Sequence, residues 1–219
     1  MVKLDYRYSL YKENTSMFPK CINALIKDMP IEEITDFHRS GDLVYSFSKK
    51  YILKVSDDVL RLEKEFNKDK WIHKYIRSAK PVLFIIENDK AYYLREYIHG
   101  ENLCIDKYIN NPLLLIELLV EAMSILHKTI VSDEAYIIDS QYNTLIHGDF
   151  CLPNILVKDN KVSGFIDLSD SGIGDPWCDY AWCIWSLEYN LKTKDYTPIL
   201  LEKLGIEFDK EKFERYTKD

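Results

Sequence analysis

The stretch "LIHGDFCLPNILV", residues 145–157, sets a histidine, a glycine, an aspartate and an asparagine between apolar runs. Polar residues packed so tightly between core-like segments point to a loop held rigidly for chemistry. Asp149 and Asn154 stand five positions apart, the D-x-x-x-x-N spacing of a phosphoryl-transfer loop. In that arrangement the aspartate takes the acceptor hydroxyl's proton and the asparagine reaches a metal ion. Eighteen residues after Asp149, "GFIDLSDSG" (164–172) puts Asp167 directly behind a strand-like run, where a second oxygen ligand for a metal is needed. Upstream, Lys54 sits in the strand-like "YILKV", and Glu65 lies on the helix-like segment that follows. A lysine for the phosphates and a glutamate that steadies it complete the set. Each residue alone has an ordinary reading as a cap, an edge or a solvated face. The order of strand Lys, helix Glu, H-G-D-x-x-x-x-N, hairpin and I-D is what carries the functional one.

Working outward, alternating or β-branched runs with turn signals predict strands at "EITDFH", "LVYSFS", "YILKVS", "PVLFII" and "AYYLREYI". Hairpins are expected to turn at 48–50 and at 88–89, with a third across "ILVKDNKVSGFIDL". "MFPKCINALIKDM" reads as a short amphipathic helix ended by Pro30. Between the first two hairpins, apolar residues at 59, 60, 62, 66, 71, 72, 75 and 76 follow a helical period, with Asp57 or Asp58 as cap. This predicts a mostly antiparallel sheet with one helix inserted after its third strand. After "YIHGENL" the character changes. "NPLLLIELLVEAMSILHKTI" reads as a buried helix with Asn111 as cap and Pro112 at its first position. "PWCDYAWCIWSLEYNL", "YTPILLEKLG" and "DKEKFERYTK" read as helices closing the chain. The fold class expected is α+β, with an N-terminal lobe at 1–96, a hinge at 97–102 and a mainly helical C-terminal lobe at 103–219.

The 219 residues carry a net charge of −7, which disfavours a general nucleic-acid binder. Residues 1–100 hold 18 basic and 15 acidic side chains, whereas 101–219 hold 11 and 21, balances of +3 and −10. A basic first part suits an anion and an acidic second part a cation, although acidic surfaces also simply aid solubility. No apolar run reaches the length of a bilayer span, and the N-terminus lacks a secretory apolar region. Five cysteines without a CxxC pair suit reduced thiols in a cytoplasm.

"HGDFCLPNILV" with "GFIDLSDSGIGDPWCDYA" resembles the signature of the aminoglycoside phosphotransferases, relatives of choline kinases and protein kinases. The resemblance runs from the strand before Lys54 to about Gly205. It implies a two-lobed protein-kinase-like fold, ATP or GTP as phosphoryl donor, and Mg²⁺. It implies Asp149 as catalytic base and Asn154 and Asp167 as metal ligands. Lys54 would contact the phosphates and Glu65 would orient it. The segment Arg95 to Ile98, Glu96 and Ile98 included, would be the hinge that meets the adenine, under an apolar roof from Ile52. His147 and Asp179 would be structural supports of the loop. The chain departs from the antibiotic-modifying members in two ways. His127 and His147 are only 20 residues apart, which leaves no room for the usual helical insertion before the loop. Where an acidic pair often follows D-P-x-x-D, "WSLEYNL" retains Glu188 alone.

The reading that follows is a kinase acting on a hydroxyl of a cationic small molecule, an aminoglycoside foremost, as in antibiotic resistance. Asp133, Glu134, Asp139 and Glu188 are candidates for holding the acceptor's ammonium groups. A choline, ethanolamine or amino-sugar kinase is the alternative, with Trp177, Trp182, Trp185 and Tyr189 as a possible aromatic cage. A nucleotide-binding protein without turnover is the third. No membrane or nucleic-acid partner is expected, and a monomer or weak dimer is.

Overall fold

A computed structural model describes residues 17–34, 41–132 and 136–218. The chain divides into two compact units, 1–66 with 81–97, and 67–80 with 98–219. Residues 67–80, expected in the N-terminal lobe, group with the second unit.

In the first unit, α1 (Lys20–Leu25) leads into β1 (Ile31–Ile34), β2 (Leu43–Phe47), β3 (Tyr51–Ser56), β4 (Pro81–Glu87) and β5 (Lys90–Glu96). The strands form one antiparallel sheet in the order β1-β2-β3-β5-β4. Two hairpins turn on non-glycine pairs at positive φ, Ser48-Lys49 and Asn88-Asp89, the signature of type I′ turns whose twist matches the strands. Alternation gives the sheet two apolar faces. Tyr45, Phe47, Leu53, Val55 and Leu94 pack with Phe18, Ile22 and Ile26 on one side. Ala91 and Tyr93 meet Leu62 of α2 (Val59–Ile72) on the other. Asp58 caps α2 by accepting from the Arg61 amide at 3.0 Å. Helix α1 is shorter than the apolar pattern suggests, six residues, and starts after Pro19 at its N-cap. The strand expected at 33–38 is observed as Ile31–Ile34, and 35–40 lie outside the described residues.

The second unit begins within α2. Trp71, Ile72 and Ile76 join its core, Phe165 donates its amide to the Arg77 carbonyl at 3.0 Å, and Ser78 bridges to Phe165. Then follow β6 (Glu101–Asn102), α3 (Asp106–Ile109) and α4 (Pro112–His127). Asn111 caps α4 and seven of its sixteen residues are buried, as its breadth of apolar sequence requires. No helix occurs among the described residues between α4 and β7 (Thr144–Ile146). β8 (Ile155–Lys158) and β9 (Lys161–Phe165) form the third hairpin, turning on Asp159-Asn160 at positive φ, and β10 (Gly172–Gly174) pairs with β7. Helices α5 (Trp177–Leu191), α6 (Thr197–Leu204) and α7 (Lys210–Thr217) complete the unit. No described helix is long and apolar enough to cross a membrane.

Candidate active site

The loop 147–154 is built on α5. Asp179, in the first turn of α5 and fully buried, accepts from the His147 amide at 2.9 and 3.1 Å, from the Gly148 amide at 2.9 Å and from His127 Nε2 at 3.0 Å. A buried carboxylate is tolerable only with such a set of donors, and here the donors are the loop's own backbone. Two helical turns on, Ser186 Oγ accepts from the Leu152 amide at 3.0 Å, so one face of α5 supports both ends of the loop. Gly148 lies at φ +85, and a Cβ there would stand 2.4 Å from the Asp170 carbonyl oxygen. Only glycine fits.

His147 is fully buried and joins the two halves of the motif. Its Nε2 lies 3.1 Å from the Ile166 carbonyl, which can only accept, and its Nδ1 accepts from the Asp149 amide at 3.3 Å. These partners assign the proton to Nε2. The Ile166 amide in turn donates to the Asn154 carbonyl at 3.0 Å. Ile166 is therefore pinned on both sides, and Asp167, the next residue, emerges exposed at φ +55. A non-glycine residue in the left-handed region costs about 1 kcal/mol or more and persists only where its surroundings dictate it.

Asn154, 5% exposed, turns its amide nitrogen onto Asp149, donating to the main-chain oxygen at 2.9 Å and to Oδ2 at 2.9 Å. Both protons are spent. Its Oδ1 accepts nothing among the described residues. The Cys151 thiol lies beside the same aspartate, and burial followed by the charge of Asp149 pushes it well up. Asp149 and Asn154 are thus joined directly, and Asp167 follows the Ile166 that the same network pins, so that an amide oxygen and two carboxylates are available as hard donors.

In the first unit, Lys54 Nζ meets Glu65 Oε1 at 2.6 Å, with side chains 11% and 4% exposed. Glu65 also faces Arg95 Nη1 at 3.5 Å and Arg61 Nη1 at 3.8 Å, and Arg61 reaches the buried Asp42. Ile52 lies opposite Arg95 and Lys54 opposite Tyr93, so the two share the sheet face that α2 covers. Glu96 is exposed at the end of β5, and Ile98 packs beside Gly164, where an added Cβ would approach its Cγ2 to 3.1 Å.

A cavity of about 510 Å³ in the second unit adjoins Gly148 and is lined by Asp139, Asp170, Asp175, Lys68 and Tyr216 among others. Asp175 is engaged. Burial would raise its pKa, but the Trp177 amide, Lys212 and Tyr142 outweigh that and hold it below the usual carboxylate range. Its Oδ2 accepts from Tyr142 at 3.0 Å, Lys212 at 3.1 Å and Tyr216 at 3.2 Å. Asp170 is exposed and Asp139 half-buried. Glu188 is not among the lining residues, and its oxygens meet Thr197 at 2.8 Å and Lys194 at 3.5 Å. Asp133 and Glu134 lie outside the described residues. The four aromatics of α5 do not form a cage. Trp185 and Tyr189 stack on each other at 5.1 Å, and Trp177 packs on Tyr180.

Sequence reasoning missed His127, Ser186 and Arg95 as partners of this machinery. The first lies 52 residues from Asp179, and no local pattern announces it.

Residues 93–208, just over half of the chain, match the sequence model of the phosphotransferase enzyme family. The chain is 26% identical over 235 residues to the "Probable aminoglycoside 3′-phosphotransferase" of Lactococcus lactis, covering 88% of this chain and 89% of that protein. An aminoglycoside 3′-phosphotransferase of Enterococcus faecalis is 46% identical over 70 residues, 32% of this chain and 26% of that protein. Among solved structures, an aminoglycoside phosphotransferase of Streptomyces rimosus superposes with a TM-score of 0.72 at 18% identity, over 89% of this chain and 93% of that one. The same enzyme in complex with ADP and streptomycin gives 0.69 at 19% identity, with the same coverage. The chain belongs to the phosphotransferase enzyme family and takes the protein-kinase-like fold of its aminoglycoside phosphotransferases.

Proposed function

We propose that the protein transfers the γ-phosphoryl group of ATP or GTP to a hydroxyl of an aminoglycoside, and so acts as an antibiotic-resistance kinase. The observation that carries this reading is the orientation of Asn154. Its nitrogen is committed to Asp149, so its oxygen is left for a hard cation beside the proposed base. Mg²⁺ fits that donor set of Asn154 Oδ1 and the Asp167 carboxylate, and when bound it would neutralise charge on the transferring phosphoryl group.

Asp149 accepts the acceptor hydroxyl's proton on the carboxylate oxygen that Asn154 leaves uncovered. Lys54 binds the nucleotide phosphates, and Glu65 fixes its ammonium. The nucleotide lobe lies within 1–96, apart from 67–80, with Ile52 and Glu96 at the adenine; 97–102 are the hinge, whose Ile98 also meets it, and 103–219 are the catalytic and acceptor lobe. Asp139 and Asp170, lining the cavity beside Gly148, attract the acceptor's ammonium groups. Support for the acceptor class comes from the length of the match to a named aminoglycoside 3′-phosphotransferase and from the streptomycin bound by the structural neighbour.

The test is nucleotide turnover with Mg²⁺ against a panel of kanamycin-type aminoglycosides, streptomycin, choline and ethanolamine. Turnover is expected with one or more aminoglycosides. Turnover with choline alone would transfer the assignment to the amino-alcohol kinases, and turnover with none would refute it.

A further inference from the structure

The proposed metal ligand Asp167 opens a turn that a residue outside the motif holds. Residues 168–171 close on themselves, since the Ser171 amide and hydroxyl both donate to the Leu168 carbonyl, at 3.1 and 2.6 Å. The Ser171 carbonyl is then capped by Lys68 Nζ, which reaches it from α2 across 103 positions of sequence. Lys68 is 9% exposed, and its ammonium lies 4.0 Å from the ring centroid of Tyr136 and 5.7 Å from that of Trp71. Those two rings pack at 4.8 Å. Tyr136 belongs to the same assembly, because its carbonyl accepts from the Ile173 amide at 2.9 Å, two residues beyond Ser171. The turn is thus tied before Asp167 through Ile166, after Ser171 through Ile173, and at Ser171 itself by the lysine.

An ammonium in this position is costly. Burial pushes Lys68 down to about 8, partly offset by the charge of Asp170. A hydrophobic side chain of similar length would pack against Tyr136 and Trp71 without that penalty. What such a side chain cannot do is hold the Ser171 carbonyl or offset Asp170.

We propose that Lys68 is a positioning residue for phosphoryl transfer: by capping Ser171 from α2, it fixes the 167–171 turn and with it the carboxylate of Asp167. This rests on the assignment of Asp167 as a metal ligand.

Two variants of the full chain test it, Lys68→Met and Lys68→Arg. Amide exchange is measured on the unliganded proteins, and turnover is measured against Mg²⁺ concentration. In Lys68→Met, exchange of 167–172 should quicken by about tenfold or more while α4 and α5 keep their protection, since the capping bond from a charged donor is lost. kcat should fall by about 10–100-fold, the scale set by small misplacements of a catalytic group, and half-saturation should need more Mg²⁺. KM for the acceptor should stay near the wild-type value, and Lys68→Arg should recover most of both losses. Unchanged exchange in Lys68→Met would overturn the proposal, as would faster exchange with unchanged kcat and Mg²⁺ dependence. A merely structural lysine would loosen α4 and α5 as well. Absence of product from the wild type would count against the proposed function instead, and the exchange measurement would still decide whether Lys68 holds the turn.

Discussion

At the scale of single residues, two positions carry the sharpest expectations. Asp149→Ala removes the proposed base and the acceptor of one Asn154 hydrogen bond, while Lys54 and Glu65 are untouched. kcat should fall by about 10²–10⁴-fold, with nucleotide affinity within a few-fold of wild type. Turnover within threefold of wild type would remove Asp149 from the mechanism. Gly148→Ala tests the loop's geometry. The new Cβ would collide with the Asp170 backbone at a φ of +85, costing about 2–4 kcal/mol and lowering Tm by about 5–15 °C. An unchanged melting temperature would mean that the loop is more compliant than its contacts imply. Lys68 adds a pH signature. Its folded pKa, about 8, lies below the 10.5 of the free side chain, so the unfolded chain binds more protons between those values. Stability from this group therefore rises with pH from about 8 to 10.5, and Lys68→Met should flatten that part of the stability curve.

Among the elements, α5 and α7 are tied to the rest of the unit by different side chains. α5 supplies Asp179 and Ser186 to the 147–154 loop, and Cys183, Ile184 and Leu187 beside them are buried in the core. α7 is an amphipathic helix with no buried residue of its own, and Asp175 takes both Lys212 and Tyr216 from it. Burial and the charge of Asp175 push the Tyr216 phenol up to about 12, so it remains a donor through the physiological range. Asp175→Ala would leave four donors without their acceptor, the Trp177 amide, Tyr142, Lys212 and Tyr216. Hydrogen exchange across Lys210–Thr217 should speed up, with a loss of about 2–4 kcal/mol. Because the Asp175 pKa is depressed, its stabilisation is present above the ordinary carboxylate pKa and is lost as pH falls through the lower, folded value. Retained protection of α7 in the variant would show that apolar contacts alone hold it.

Across the whole molecule, what the sequence disclosed follows the range of the interactions. Hairpins, caps and the D-x-x-x-x-N spacing are local, and they appear where turn chemistry and periodicity put them. Asn111 caps α4 and Gly205 ends α6 at φ +69 for reasons contained within a few residues. Partners chosen by the tertiary fold were not legible. Lys68 with Ser171, His127 with Asp179 and Arg95 with Glu65 are 103, 52 and 30 positions apart. Periodicity says which face a side chain occupies, never which distant group meets it. Glu188 is a short-range case. Its position after D-P-x-x-D suggests an acceptor ligand, and the structure adds local contacts to Thr197 and Lys194 that the motif does not announce. The family match over 93–208 covers the catalytic loop and its supports, while Lys54 and Glu65 rest on their own geometry.

The most direct measurement is mass spectrometry of an aminoglycoside incubated with MgATP and either the wild-type protein or Asp149→Ala. The wild type should add the mass of one phosphoryl group to the antibiotic, and the variant should leave it almost unmodified over the same interval. An antibiotic unchanged by the wild type, or modified equally by both proteins, would contradict the account.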